Sequence, residues 1–200
     1  MILSHVWGLM SHPEEEWSSI DKESTSIINT YFSYVCILAA IPAVCWFYGT
    51  TQVGWTIAGS DAVKLTAESA LPLTIAFYAA MLIGVYAMGR MIHWMAHTYG
   101  STPTIAQCVR MAAYTATPIF LVGLLGLQPN IWMGLLLGMV AVSYTVYLLY
   151  VGVPVVMHIP KERGFLFASA VLGVGLVFLV GAMAATIVIW SFGFAPAFTS

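Results

Sequence analysis

Charge is what this sequence has least of. Only 7% of its 200 residues are Asp, Glu, Lys or Arg, against about 25% in an ordinary soluble domain. With 60% hydrophobic residues, so few polar groups cannot cover the apolar surface in water. The net charge of −2 supplies no field for nucleic acid, which is excluded as a partner. Cysteine is scarce as well. Cys36, Cys45 and Cys108 are odd in number and fall in or beside apolar segments, which argues against a disulfide framework and for buried packing. There is no GxSxG, no Walker-type loop and no carboxylate pair inside an apolar segment, so the usual bases and nucleophiles of an enzyme are missing. No enzymatic activity is expected. Residues 2–10 are apolar, but they are short, interrupted by His5 and without a basic flank, so no cleavable signal peptide is expected.

What the chain does have is five long apolar runs, roughly Tyr31–Thr50, Leu71–Met95, Ile105–Leu127, Ile131–Val153 and Phe165–Trp190. Each reaches the ~20 residues a helix needs to cross a bilayer. The expected fold is an all-α integral membrane protein: a five-helix transmembrane bundle over residues 31–200, preceded by a cytoplasmic or interfacial arm over residues 1–30. Counting alternate sides puts Lys22, Arg90, Arg110, Lys161 and Arg163 together and leaves Lys64 opposite. The positive-inside rule then places the N-terminus in the cytoplasm and the C-terminus outside. In a bacterium that membrane is the inner one.

The arm reads as two short amphipathic helices. Ile2, Leu3, Val6, Trp7 and Met10 share one helical face, suited to the headgroup plane or to the underside of the bundle. A second helix starts with Ser11 or His12 as cap, Pro13 at its first position and Glu14–Glu16 at the positive end of its dipole. Its apolar face carries Trp17, Ile20 and Ile27, and Ser24 with Thr25 forms the junction to the first span. Pro42 is expected to kink that span. Residues 51–70 read as a long irregular outer loop with Gly54, Gly59 and Asp61, whereas Gln128-Pro129-Asn130 is a tight turn. A cytoplasmic loop from Pro154 through Gly164 is expected, and the tail after Trp190 should fray. Small-xxx-small pairs at Gly134 and Gly138, Ser169 and Gly173, and Gly181 and Ala185 mark faces on which helices approach.

Polar groups within the spans are the candidate functional residues. Arg90 and Arg110, near the cytoplasmic ends, are candidates for lipid-headgroup contact against the null of simple anchoring. Pro118 removes a backbone donor in Tyr114-Thr115-Ala116-Thr117-Pro118, and the threonine hydroxyls are placed to re-satisfy the freed carbonyl. Tyr144, Tyr147 and Tyr150, with Tyr114, offer a polar seam between spans, either structural or lining a solute path. His93 and His97, four apart on one face, are the only candidate metal ligands, for a divalent ion completed by the arm. Trp94 stands where a zinc-hydrolase motif needs glutamate. No other cofactor is expected.

WGLMSHPEEEW, AAIPAVCWFYGTTQVGW, MGRMIHWMA and YTATPIFL, taken in order with five closely spaced spans, resemble the Yip1 domain family, in its bacterial YohC-like inner-membrane branch. The resemblance covers almost the whole chain and implies a five-helix bundle with a cytoplasmic N-terminal region. Eukaryotic members are associated with Rab GTPases, vesicle traffic and membrane shaping. Bacteria lack Rab machinery, so that role does not carry over. The expected function is a non-enzymatic membrane-organising scaffold whose partners are lipids, further copies of the chain or other membrane proteins. The alternatives are a small-solute or ion transporter using the broken third span, or a cytoplasmic-side metal-binding protein.

Overall fold

Five helical segments are long and apolar enough to cross a membrane: Ile27–Val53, Ala67–Tyr99, Ile105–Leu127, Ile131–Val156 and a last helix, Lys161–Ser191. They are numbered here as spans one to five. The computed structural model describes residues 2–23, 25–56, 62–191 and 196–199. Ser24, Gly59 and Asp61 fall outside the described residues, as do the side chains of Ile2 and Leu3. Ahead of the spans come α1 (Ile2–Ser11) and α2 (Pro13–Lys22).

Local chemistry sets the helix ends. The α2 helix begins with Pro13 and Glu14–Glu16 as expected, although His12 occupies the cap position without a side-chain hydrogen bond. Span one is capped by Ser26, whose hydroxyl accepts from the Asn29 amide at 3.2 Å, and runs unbroken through Pro42. Span three starts with a reciprocal Thr104–Gln107 capping box, and span four with Asn130 accepting from the Met133 amide. The loop expected from Pro154 to Gly164 is shorter than that. Pro154 stays helical, Lys161 opens span five, and the chain turns at His158 with φ 52°. Glu162 in the first turn of span five suits the helix dipole, and Gly164 lets that turn close on the Pro154 ring.

Span three lies at the centre, buried at every residue from Cys108 to Thr115. Spans one and two both pack along it and meet each other, while span four joins spans three and five. Of the small-residue pairs, Ser169 meets span four through Tyr150, but the glycines do not make these contacts. Among the described residues, a Cβ on Gly134, Gly138, Gly173 or Gly181 would find no atom of another helix within 4 Å. The close approaches use Gly89 against Val109, Gly123 against Pro42, Gly126 against Trp46 and Gly152 against Trp17. Hydropathy periodicity does not distinguish a glycine that faces a neighbour from one that faces outward.

At one end of the bundle the chain terminus is tied down rather than frayed. Strands β1 (Lys64–Leu65) and β2 (Phe198–Thr199) pair antiparallel, Ala197 accepts from the Thr66 amide, and Phe198 packs edge-on to Trp55. For residues 197–199, backbone pairing with the connection between spans one and two outweighs the fraying expected of a short tail. At the other end Asp21 meets His158, and Arg163 lies beside Gly100. The arm, the connection between spans two and three and the connection between spans four and five therefore share that end. Lys64 lies at the opposite one.

Candidate functional site

The arm enters the bundle. Leu9, Trp17 and Ile20 are fully buried, and the Tyr144 hydroxyl donates to the Leu9 carbonyl at 2.8 Å. Tyr144 is roughly 18 Å from the Val156 end of span four at 1.5 Å per residue, so the tip of the α1–α2 hairpin reaches well along that helix. The face of α1 differs from the expected stripe. Trp7 is exposed, while His5 and Leu9, one turn apart, point inward. A histidine that finds acidic partners can occupy a buried face that hydropathy alone denies it.

Those partners are Glu16 and Glu23. The His5 Nδ1 lies 2.5 Å from Glu16 Oε1, and its Nε2 lies 3.0 Å from Glu23 Oε1. The side chains are 12%, 18% and 33% exposed in that order. Gly8 makes room for the arrangement, since a Cβ there would collide with the Glu16 carboxylate. The imidazole packs on Tyr114 with ring centroids 5.4 Å apart, and Tyr34 meets Tyr114 edge-on at 4.4 Å. Arg110, one turn before Tyr114, is 2% exposed, and its Nε has no hydrogen-bond partner among the described residues. Glu23, Arg110 and Glu16 all lie close enough to Tyr114 to act on it electrostatically.

The break in span three is closed from within. Pro118 cannot donate to the carbonyl four residues back, which is that of Tyr114, and the Thr117 hydroxyl donates to it instead at 2.6 Å. With its proton committed, Thr117 Oγ1 accepts from the Tyr34 hydroxyl at 2.6 Å. Thr117→Val keeps the shape but strands both the Tyr34 hydroxyl and the Tyr114 carbonyl. We expect a loss of about 1–2 kcal/mol in thermal or denaturant unfolding. Adding Tyr34→Phe to that variant should cost little more, because the pair acts as a unit.

The remaining candidates separate. Tyr144 bonds to α1. The Tyr150 hydroxyl donates to Ser169 on span five at 2.8 Å, because Ser169 has given its own proton to the Phe165 carbonyl. Tyr147 is 45% exposed, so the three tyrosines of span four form no common seam. The Tyr144 and Tyr147 rings lie 5.6 Å apart, but at 100° per residue positions three apart drift off one face, and the Tyr144 and Tyr150 hydroxyls bond to different elements. The polar cluster forms instead around Tyr34, Tyr114 and Thr117. Arg90 is exposed and Pro118 is buried. His93 and His97 sit ring to ring at 6.1 Å, with His93 Nδ1 3.1 Å from the Pro103 carbonyl. Among the described residues, no group of three His, Cys, Asp or Glu side chains is placed to hold a metal ion. A cavity of about 420 Å³ opens between spans one and two, lined by Ala43, Trp46, Leu65, Leu73 and Phe77, apart from the Pro118 break.

The comparisons with known proteins converge with this architecture. The Yip1 domain profile matches residues 7–183. The chain is 44% identical over 192 residues, 96% of its length and 98% of theirs, to two proteins named "Inner membrane protein YohC", one from Escherichia coli strain K12 and one from Escherichia coli O6:H1 strain CFT073. No solved structure matches it.

Proposed function

Because the chain belongs to the Yip1 domain family, we propose that it is a multi-pass inner-membrane scaffold that works by contact with lipids and other membrane proteins rather than by catalysis. The observation that carries this reading is that the carbonyl freed by Pro118 is bonded again within the bundle. Tyr34, Thr117 and the Tyr114 carbonyl close the Pro118 break, and Tyr144 and Tyr150 bind α1 and span five. A transport site built on a broken helix would instead present free backbone and side-chain groups to its solute. The outward faces around Gly134 and Gly138 remain available for close contact with a second copy or another membrane protein.

The basic residues support an N-terminus in the cytoplasm and a C-terminus in the periplasm, since Lys22, Lys161 and Arg163 gather at the end where Asp21 meets His158. Exposed Arg90 is suited to anionic headgroups at that surface. The test is replacement of Gly134 and Gly138 by leucine in full-length protein. Folding stability should change by less than about 0.5 kcal/mol, because a Cβ at either position finds no atom of a neighbouring helix within 4 Å. Recovery of bound copies or partners after crosslinking in native membranes should fall. Flux of a small solute through proteoliposomes that depends on Thr117 or Tyr114 would replace this reading with transport.

A further inference from the structure

The His5, Glu16 and Glu23 arrangement is incomplete as three side chains in their ordinary neutral-pH states. Both ring nitrogens of His5 face carboxylate oxygens, at 2.5 and 3.0 Å. A neutral imidazole has one N–H to donate and one bare lone pair. With both glutamates ionised, that lone pair would be pressed against a carboxylate oxygen, a repulsive contact in a site mostly closed to water. One additional proton removes the conflict, whether it makes the imidazole a double donor or converts one carboxylate to a donor. The surroundings require the same count. Arg110 is buried beside Tyr114 with its Nε unpaired, and among the charged groups near Tyr114 it is the counter-charge to the two glutamates. The four groups sum to zero only when the triad keeps the extra proton.

We propose that His5, Glu16 and Glu23 form a proton-binding site that latches the N-terminal hairpin into the bundle, so that the arm is held at lower pH and released as pH rises. The groups involved come from every element at this point. They are Glu16 on α2, Glu23 just after it, Arg110 and Tyr114 on span three, and Tyr34 on span one, whose hydroxyl is already committed to Thr117. Elsewhere the hairpin meets the Tyr144 hydroxyl through the Leu9 carbonyl, and Asp21 meets His158 at 2.8 Å, where the imidazole is 65% exposed. That exposure makes it a weak contributor.

The sign follows from proton counts. An imidazole in water ordinarily holds its proton up to about pH 6.5. Between the ordinary carboxylate value of about 4.3 and that imidazole value, both states hold the proton, and the latch has its full stability. Above it the latched state holds one proton more than the released one, so each further pH unit favours release by about tenfold until the triad itself deprotonates. Release would uncover the faces now beneath Trp17 and Leu9, including the Gly152 side of span four.

Hydrogen exchange on the full-length protein in lipid nanodiscs, corrected for the intrinsic pH dependence of amide exchange, reads this directly. Amides of α1 and α2 should open about tenfold more per pH unit across the alkaline side of neutrality, while those of span three do not. Glu16→Gln supplies an amide donor to Nδ1 and lets a neutral His5 donate to Glu23 through Nε2. The arm should then stay protected across the range and lose its pH dependence. His5→Phe retains a ring against Tyr114 but leaves the carboxylates without their partner, and should leave the arm open at every pH. His158→Gln should keep the wild-type slope. The proposal is overturned if wild-type arm protection is flat across and above neutrality, if it falls on acidification from neutral to about pH 6, above the carboxylate range, or if Glu16→Gln titrates like the wild type.

Discussion

Replacing Trp17 by alanine is expected to cost about 3–5 kcal/mol of folding stability, the range for deleting a fully buried large aromatic side chain. Trp17 is 0% exposed and lies against Gly152 so closely that a Cβ there would fall 2.5 Å from the indole. Its Nε1 has no hydrogen-bond partner, so the loss is one of packing rather than of a polar contact. Gly152→Leu attacks the same contact from the other side and should displace the indole. The two substitutions should combine to much less than their sum, since either one undoes a single joint. Reversible unfolding in detergent or nanodiscs, followed by exchange on α2, measures both the loss and its location. A cost below about 1 kcal/mol for Trp17→Ala would place the indole outside the core, at a surface position.

The second large effect belongs to Gly89. Spans two and three approach there until a Cβ would lie 2.7 Å from the Val109 Cα and 2.6 Å from its Cγ2. The nearer atom ends a side chain, but the next is backbone, so a rotamer change cannot relieve the clash. Gly89→Leu must separate the helices, with an expected cost of about 1–3 kcal/mol or more. Gly84→Leu, one turn and a fraction earlier on the same span, meets nothing and should be close to neutral. The contrast between these two variants distinguishes backbone approach from a general intolerance of bulk on span two. Equal melting temperatures for them would contradict the packing described.

Much of this architecture is legible in the chain because lipid imposes it. A membrane demands long apolar helices, and the five runs read from composition match the five spans to within a few residues at most ends. The Pro118 break and its repair by threonine follow from one missing donor and were readable without a neighbour. Long-range pairing was not. Tyr34 and Thr117 are 83 residues apart, and His5 looked like an interruption of an apolar stripe because Glu16 and Glu23 belong to elements whose approach hydropathy does not encode. The signal was present in a limited form: His5 and Leu9 are one turn apart, and Gly8 between them can admit a side chain. The β pairing of the last residues with Lys64–Leu65 was hidden for the same reason, since two-residue strands leave no periodicity to read.

The docking of the arm is the point on which the site, the latch and the Trp17 joint all depend. Cysteines introduced at Asp21 and His158 in an otherwise cysteine-free chain, treated in native membranes with a short bifunctional thiol reagent, probe it directly, because those side chains meet at 2.8 Å. The expected result is rapid crosslinking within a single chain, at a rate independent of expression level. Crosslinking only between chains, or none while each cysteine reacts freely with a soluble maleimide, would mean that the hairpin does not occupy the bundle.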